Sequence, residues 1–246
     1  MCGRYSLTTP VEALRDLFRF EGPGLNLVPR WNIAPTQEAP VIRLGQDGRR
    51  ELRLLRWGLV PFWSKDASGG AHMINARSET LAERPAFREA FKARRCLVPA
   101  DGFYEWETIG PKPPKQPVLF RMADGRPFAF AGLWERWTKG GEPLETFTIV
   151  TAAANDVMAR YHHRVPMVLA PGDSGAWLDP KADPRALLKS PPSEWFSVTR
   201  VSTHVNNVRN DDPICVEPFD EAEILPPAAK KARRAPAGAD KQGRLF

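Results

Sequence analysis

The sequence predicts an α+β fold: one domain with a curved, barrel-like, mainly antiparallel β-sheet core and short flanking helices. Three observations carry that expectation. Strand-like runs outnumber helical ones and do not alternate with them regularly, which disfavours a doubly wound parallel sheet. The 25 prolines among 246 residues favour many turns over long helices. Asp124-Gly125 lies between two strand-like runs, and that dipeptide tolerates the positive φ of a tight hairpin, so the flanking runs are expected to pair antiparallel.

In chain order, Thr9-Pro10-Val11-Glu12 reads as a helix start, with Thr9 as the cap, proline at the first helical position and Glu12 in the capping-box position. Val11, Leu14, Leu17 and Phe18 then share a face, which predicts a core-packed helix to about residue 20. After a Pro- and Gly-rich loop, strands are expected over 40–44 and 51–60, and a second helix over 85–95, where Phe87 and Phe91 stand one turn apart. Further strands are expected over 96–99, 103–107, 118–122, 128–137, 147–152 and 196–201. Residues 2–225 form the expected domain, and 226–246 a basic tail without the apolar mass to fold.

The net charge of +6 suggests a nucleic-acid partner until it is divided along the chain. Lys230, Lys231, Arg233, Arg234, Lys241 and Arg244 against Asp240 give the tail +5, which leaves the body nearly neutral. A nucleic-acid site in the body must therefore be a local arrangement of arginines, with the tail adding salt-sensitive attraction to phosphate. Cys2, Cys96 and Cys215 are an odd, scattered set without a CxxC pair, and no apolar stretch is long enough to span a bilayer. A reducing, cytoplasmic setting is expected, with Cys96 and Cys215 structural. The four histidines form neither a zinc-finger nor an HExxH pattern, so no metal or cofactor is expected.

Cys2 stands where removal of Met1 would make it the N-terminus. An N-terminal cysteine presents an amine and a thiol two carbons apart, so an aldehyde can be caught as an imine and closed by sulfur into a thiazolidine. The α-amine, with a pKa of roughly 7.7–8.0, is substantially unprotonated at neutral pH. Glu105 lies among Phe103, Tyr104 and Trp106, where partial desolvation would raise its pKa and let it hold and deliver a proton; a single strand glutamate is more often outward-facing. His162 suits acid or base work near neutral pH, or is a surface or core histidine. Asn75 can orient a sugar hydroxyl or the Cys2 backbone without titrating, or can serve a turn or cap. Arg4 and Arg77 flank reactive positions and can grip phosphate. Among Trp57, Phe62, Trp63 and Trp106, we take Phe62 and Trp63 as the pair that stacks on unpaired bases or wedges a duplex apart.

Met1-Cys2-Gly3-Arg4-Tyr5, the segment from Met73 to Thr80, the segment from Pro99 to Trp106 and His162-His163-Arg164-Val165-Pro166-Met167 occur together with the segments from Trp57 to Trp63 and from Val205 to Asn210. In that order they closely resemble the SRAP family, the SOS response-associated peptidase-like proteins, over roughly residues 2–220. The resemblance implies a DNA-damage protein that senses abasic sites in single-stranded DNA or at single-strand/double-strand junctions. It further implies a stable thiazolidine crosslink from Cys2 and imine- or lyase-type chemistry, with Cys2, Asn75, Glu105 and His162 at the reactive positions. His162 is chosen over His163 because the family's histidine lies two residues before the arginine. Val165 replaces the family's methionine, a change expected to alter packing more than chemistry. The family name also implies a Cys2-dependent peptidase, acting on its own precursor or elsewhere; a third class is a non-catalytic DNA-binding module. A monomer is expected. The last residues, Gln242-Gly243-Arg244-Leu245-Phe246, resemble the Gln-x-x-Leu-Phe peptides that dock into the bacterial replicative sliding clamp, which makes that clamp a candidate partner.

Overall fold

The computed structural model describes residues 2–22, 25–108 and 115–219. Its strands are β1 (Tyr5–Leu7), β2 (Arg30–Ile33), β3 (Glu38–Leu44), β4 (Arg50–Trp57), β5 (Asn75–Arg77), β6 (Arg95–Ala100), β7 (Gly102–Glu107), β8 (Gln116–Met122), β9 (Phe128–Trp137), β10 (Leu144–Ala153), β11 (Arg164–Pro166) and β12 (Phe196–Arg200). The helices are α1 (Val11–Phe18), α2 (Arg88–Ala93) and α3 (Ser174–Leu178), with several single 3₁₀ turns.

Strands β10, β4, β3, β6 and β9 pair in that order, and β9 pairs back onto β10, which closes a five-stranded barrel. All its ladders are antiparallel except β4 with β10. Beside it lies an antiparallel sheet in the order β12-β8-β7-β1-β2. The two layers share one core. Tyr5 of β1 meets Trp57 of β4 at 5.2 Å and Phe130 of β9 at 5.8 Å between ring centroids, both edge to face, and Trp57 stacks on Phe147 of β10. Fully buried side chains of this size stabilise a fold by about 1.5–3 kcal/mol each.

Strand β10 is long enough to leave the barrel. Beyond Ile149, β5 runs parallel along one of its edges and β11 antiparallel along the other, so that Thr151 faces Arg77 on one side and Pro166 on the other. Segments some ninety positions apart in sequence are thereby brought to one strand.

The predicted α+β class with a barrel-like, mainly antiparallel core is the observed one, and five details differ. The Asp124-Gly125 turn forms, with Gly125 at φ 74° and its N–H donating to Met122 O, but β8 and β9 do not pair with each other. Asp124 accepts from Arg126 N–H, and Pro127 has no N–H to give a ladder, so the turn passes the chain from the sheet to the barrel. Thr9 does not cap α1, because its hydroxyl donates to Asp101 at 2.5 Å and Pro10 occupies the cap position. Helix α1 ends at Phe18, with Arg19 in the left-handed region at φ 53°, and α2 spans only Arg88–Ala93. The predicted strand over 51–60 stops at Trp57, where Gly58 takes φ 126° and a Cβ would meet the Gly70 carbonyl oxygen at 2.5 Å. Among the described residues no helix is long and apolar enough to cross a membrane. The expected tail over 226–246, with Gln242, Leu245 and Phe246, lies outside the described residues.

Candidate active site

Cys2 enters directly ahead of β1 and is fully buried. Asn75, the first residue of β5, donates Nδ2–H to the Cys2 carbonyl oxygen at 2.8 Å, so one of the two roles read for Asn75 is the geometry found. The Cys2 thiol lies 3.9 Å from the Arg4 carbonyl oxygen. Burial first, and the nearby Glu105 carboxylate second, push its pKa far up, so the sulfur is a thiol and not a thiolate at neutral pH.

Glu105 reaches the same place from β7, which pairs with β1. It is 5% exposed, and burial raises its carboxyl to about 7 against an opposing pull from the positive charge of the chain's amino terminus. A carboxyl poised there holds a proton about half the time near neutral pH and can both give and take one.

His162 arrives from the turn before β11. Desolvation, then the amino-terminal charge, then His163 lower its pKa to about 4. Arg164 N–H donates to Nδ1 at 2.9 Å, so the neutral ring carries its hydrogen on Nε2. His162 therefore departs from the expected acid or base near pH 7: at that pH it is a fixed, neutral hydrogen-bond donor. His163 stacks on it with centroids 4.2 Å apart but is exposed. Glu105 and His162 both feel the amino-terminal charge of residue 1, and Asn75 holds the carbonyl of Cys2 next to it in sequence, so Cys2, Asn75, Glu105 and His162 converge on one region.

The residues read as DNA contacts are placed differently from one another. Arg77 closes β5 and is exposed. Phe62 and Trp63 project from the loop after β4 at 47% and 48% exposure. Arg4 lies beneath the site, 9% exposed, with Nη1 donating to Asn32 Oδ1 at 2.6 Å and to the Val205 carbonyl at 2.9 Å, and its guanidinium 5.5 Å from the centre of the Trp106 ring. Its charge therefore acts from the floor, in contrast to the projecting Arg77. Trp57 is wholly core.

Two features beyond the sequence reading support this floor. The loop around 203–216 is gathered by Asn32, whose amide donates to three of its carbonyls, and Asn206 accepts from Trp106 Nε1 at 2.6 Å. Within that loop His204, Asp212 and Cys215 place metal-type ligand atoms within 4.8 Å of one another. Their contacts are internal hydrogen bonds, His204 Nε2 to Asp212 at 2.9 Å, Asn210 to His204 Nδ1 and the Cys215 thiol to the Asn210 carbonyl, and they clasp the loop. The second feature is a two-pronged ion pair between Glu79 and Arg164. Glu79 and the segment 205–210 lie inside the motifs that carry the family resemblance, which is the signal in the sequence that could have singled them out.

The family model described as SOS response associated peptidase (SRAP) matches residues 1–208. The "Abasic site processing protein YoqW" of Bacillus subtilis is 39% identical over 225 residues, covering 88% of this chain and 99% of its own. The chicken "Abasic site processing protein HMCES" is 32% identical over 283 residues, covering 94% of this chain and 83% of its own. A solved protein from Bacteroides thetaiotaomicron superposes with a TM-score of 0.79 at 26% identity, over 89% of this chain and all of that one.

Proposed function

The chain belongs to the SOS response associated peptidase (SRAP) family, and from that premise we propose that it captures abasic sites in single-stranded DNA through a covalent bond to Cys2. The observation that carries this reading is the convergence of Glu105 and His162 on the amino terminus. An amine flanked by a carboxyl with a pKa of about 7 and a neutral N–H donor is equipped for carbonyl condensation. The relatives named for abasic site processing supply the carbonyl, since an abasic deoxyribose opens to an aldehyde.

After Met1 is removed, the Cys2 amine attacks the aldehyde carbon, and the carbonyl oxygen takes a proton from Glu105 to give a carbinolamine. The nitrogen returns a proton to the Glu105 carboxylate, Glu105 passes that proton to the hydroxyl, and water leaves to give an iminium. The Cys2 thiol passes its proton to the Glu105 carboxylate as sulfur attacks the same carbon and closes the five-membered ring. One C–N and one C–S bond form, the C=O bond is lost and one water leaves. Asn75 holds the Cys2 backbone throughout, and His162 Nε2–H hydrogen-bonds the sugar oxygen. Arg77 meets phosphate beside the lesion, Arg4 adds charge from below, and Phe62 and Trp63 stack on bases or stop a duplex at the junction.

The peptidase reading is the weaker one, because a cysteine peptidase needs a thiolate and burial holds this sulfur protonated. Residues 2–225 act as the capturing domain in this reading, and the tail tethers it to the sliding clamp through Gln242, Leu245 and Phe246. An oligonucleotide with one abasic site tests the chemistry: a heat- and denaturant-stable shifted band is expected with abasic DNA and none with intact DNA. Titration of the free tail peptide against the clamp tests the tether, and binding that survives alanine at Leu245 and Phe246 would remove it.

A further inference from the structure

We propose that Glu79 is a positioning residue of this site: through its ion pair with Arg164 it fixes the orientation and tautomer of His162 and holds that ring in register with Asn75. The proposal rests on the chemistry assigned to Cys2 for its purpose but not for its geometry.

Asn75 and His162 belong to segments that meet only through β10. Strands β5 and β11 have three residues each, on opposite edges of β10, and ladders that short leave the segments beyond them weakly constrained. The chain then adds a tie across the strand. Arg164 Nη1 donates to Glu79 Oε1 at 2.7 Å and Nη2 to Oε2 at 2.9 Å, the fork-on-fork geometry in which both carboxylate oxygens and two guanidinium N–H groups are matched. Arg164 is 8% exposed, and its Nη2 also donates to the carbonyl of Thr151, the β10 residue that faces both Arg77 and Pro166. The guanidinium therefore sits over β10 with one arm on the strand and both on the β5 side.

The same arginine governs His162 from its backbone. Arg164 N–H donates to His162 Nδ1 at 2.9 Å, and that bond leaves Nε2 as the ring's hydrogen-bearing nitrogen. This N–H belongs to the Arg164 backbone, so a segment no longer anchored through Glu79 would be free to shift it and release the ring to either tautomer. Glu79 is four residues beyond Asn75, so the tie sets the spacing between the amide that holds Cys2 and the imidazole that faces it. Only a carboxylate satisfies the fork: in Glu79→Gln the amide N–H₂ would face guanidinium donors, and one of the two bonds between the buried Arg164 and the half-exposed Glu79 would be lost.

The test uses the full chain with Met1 removed, as wild type, Glu79→Gln and Glu79→Asp. Long-range ¹H–¹⁵N spectra of the histidine rings need no DNA. Wild type is expected to show His162 in a single Nε2–H form at neutral pH, Glu79→Gln a mixture of tautomers, and Glu79→Asp partial restoration. In single-turnover crosslinking at saturating abasic oligonucleotide, Glu79→Gln is expected to be slower by on the order of 10–100-fold, the range of a catalytic group displaced by about an ångström. Its affinity for undamaged single strands should stay within about two-fold of wild type, as expected where a residue acts on the chemical step alone. An unchanged His162 spectrum in Glu79→Gln overturns the proposal. So does tighter binding of undamaged DNA with an unchanged rate, which would make Arg164 a phosphate ligand that Glu79 restrains. If Glu79→Gln does not fold, the spectrum of Glu79→Asp decides in the same way. Should wild type form no adduct at all, the reading of Cys2 fails while the spectra still judge the tie.

Discussion

Two neighbouring patches of the core are equally dry and have opposite consequences. Tyr5, Trp57, Phe130 and Phe147 are fully buried and edge-packed or stacked, and removing that apolar surface from water stabilises the fold. Cys2, three residues before Tyr5, is as deeply buried, and Glu105 nearly so, but burial there opposes ionisation and is felt as raised pKa values. The site is thus made by running titratable groups into the edge of an aromatic plug, so that the same exclusion of water gives rigidity on one side and proton-holding capacity on the other. Four measurements can break or sharpen that contrast.

The largest effect is expected at Glu105. Glu105→Gln keeps the shape and removes the proton, and should slow adduct formation by about 10²–10⁴-fold while leaving binding to undamaged single-stranded DNA nearly unchanged. A quench-flow time course beside an anisotropy titration checks it; equal losses in both would make Glu105 a binding residue. His162→Ala should also slow the reaction and His163→Ala should not, and the opposite result would reverse the assignment of the two histidines.

On the aromatic side, Trp57→Ala should cost about 3–5 kcal/mol of stability in urea denaturation, because the barrel end cannot collapse around the void. A loss below about 1 kcal/mol would show that the plug is not what shapes the pocket.

Between the two lies a pH effect. A carboxyl whose folded pKa is raised binds more protons folded than unfolded, so its contribution is fully present below the unfolded pKa of about 4.3 and is lost as pH rises through about 7. Wild type should therefore lose up to about 3 kcal/mol relative to Glu105→Gln between pH 5 and pH 8, as read by denaturation at the two pH values. A constant difference across that window would mean that Glu105 ionises in the folded state as an ordinary carboxyl does, with no raised pKa.

The smallest effect is at the exposed Arg77. Arg77→Ala should weaken binding and reduce the slope of log K against log salt by about 0.7, the value for one phosphate contact on a single strand. No change in slope would place the phosphate elsewhere.

The contrast also explains what could be read from the sequence. Long strands such as β9 and β10 announce themselves by composition, and their runs were expected within a few residues of where they lie. A barrel-like core was expected, but the pairing that closes it did not show, because closure depends on β10 taking both β4 and β9 as neighbours, and the added three-residue strands β5 and β11 have no periodicity to detect. The Asp124-Gly125 turn was visible, but its partner strands were set by Pro127 and by the sheets on either side. At the site, Cys2, Asn75, Glu105 and His162 were found through a family resemblance, and the structure brings them together. The charge state of His162 was hidden, since it comes from burial and from the amino terminus meeting it across the fold. The Glu79–Arg164 tie joins residues 85 apart and leaves no local pattern.

The central claim is that the amine and thiol of an N-terminal Cys2 act on one aldehyde carbon. Intact-mass spectrometry of the Met1-processed chain with an abasic oligonucleotide tests it most directly, run beside a variant carrying one extra residue ahead of Cys2 and beside Cys2→Ser. The processed chain should gain the mass of the oligonucleotide less one water without any reductant. The extended variant should gain nothing, and Cys2→Ser should gain a persistent adduct only when borohydride is present. An extended variant that crosslinks at the wild-type rate would contradict the account.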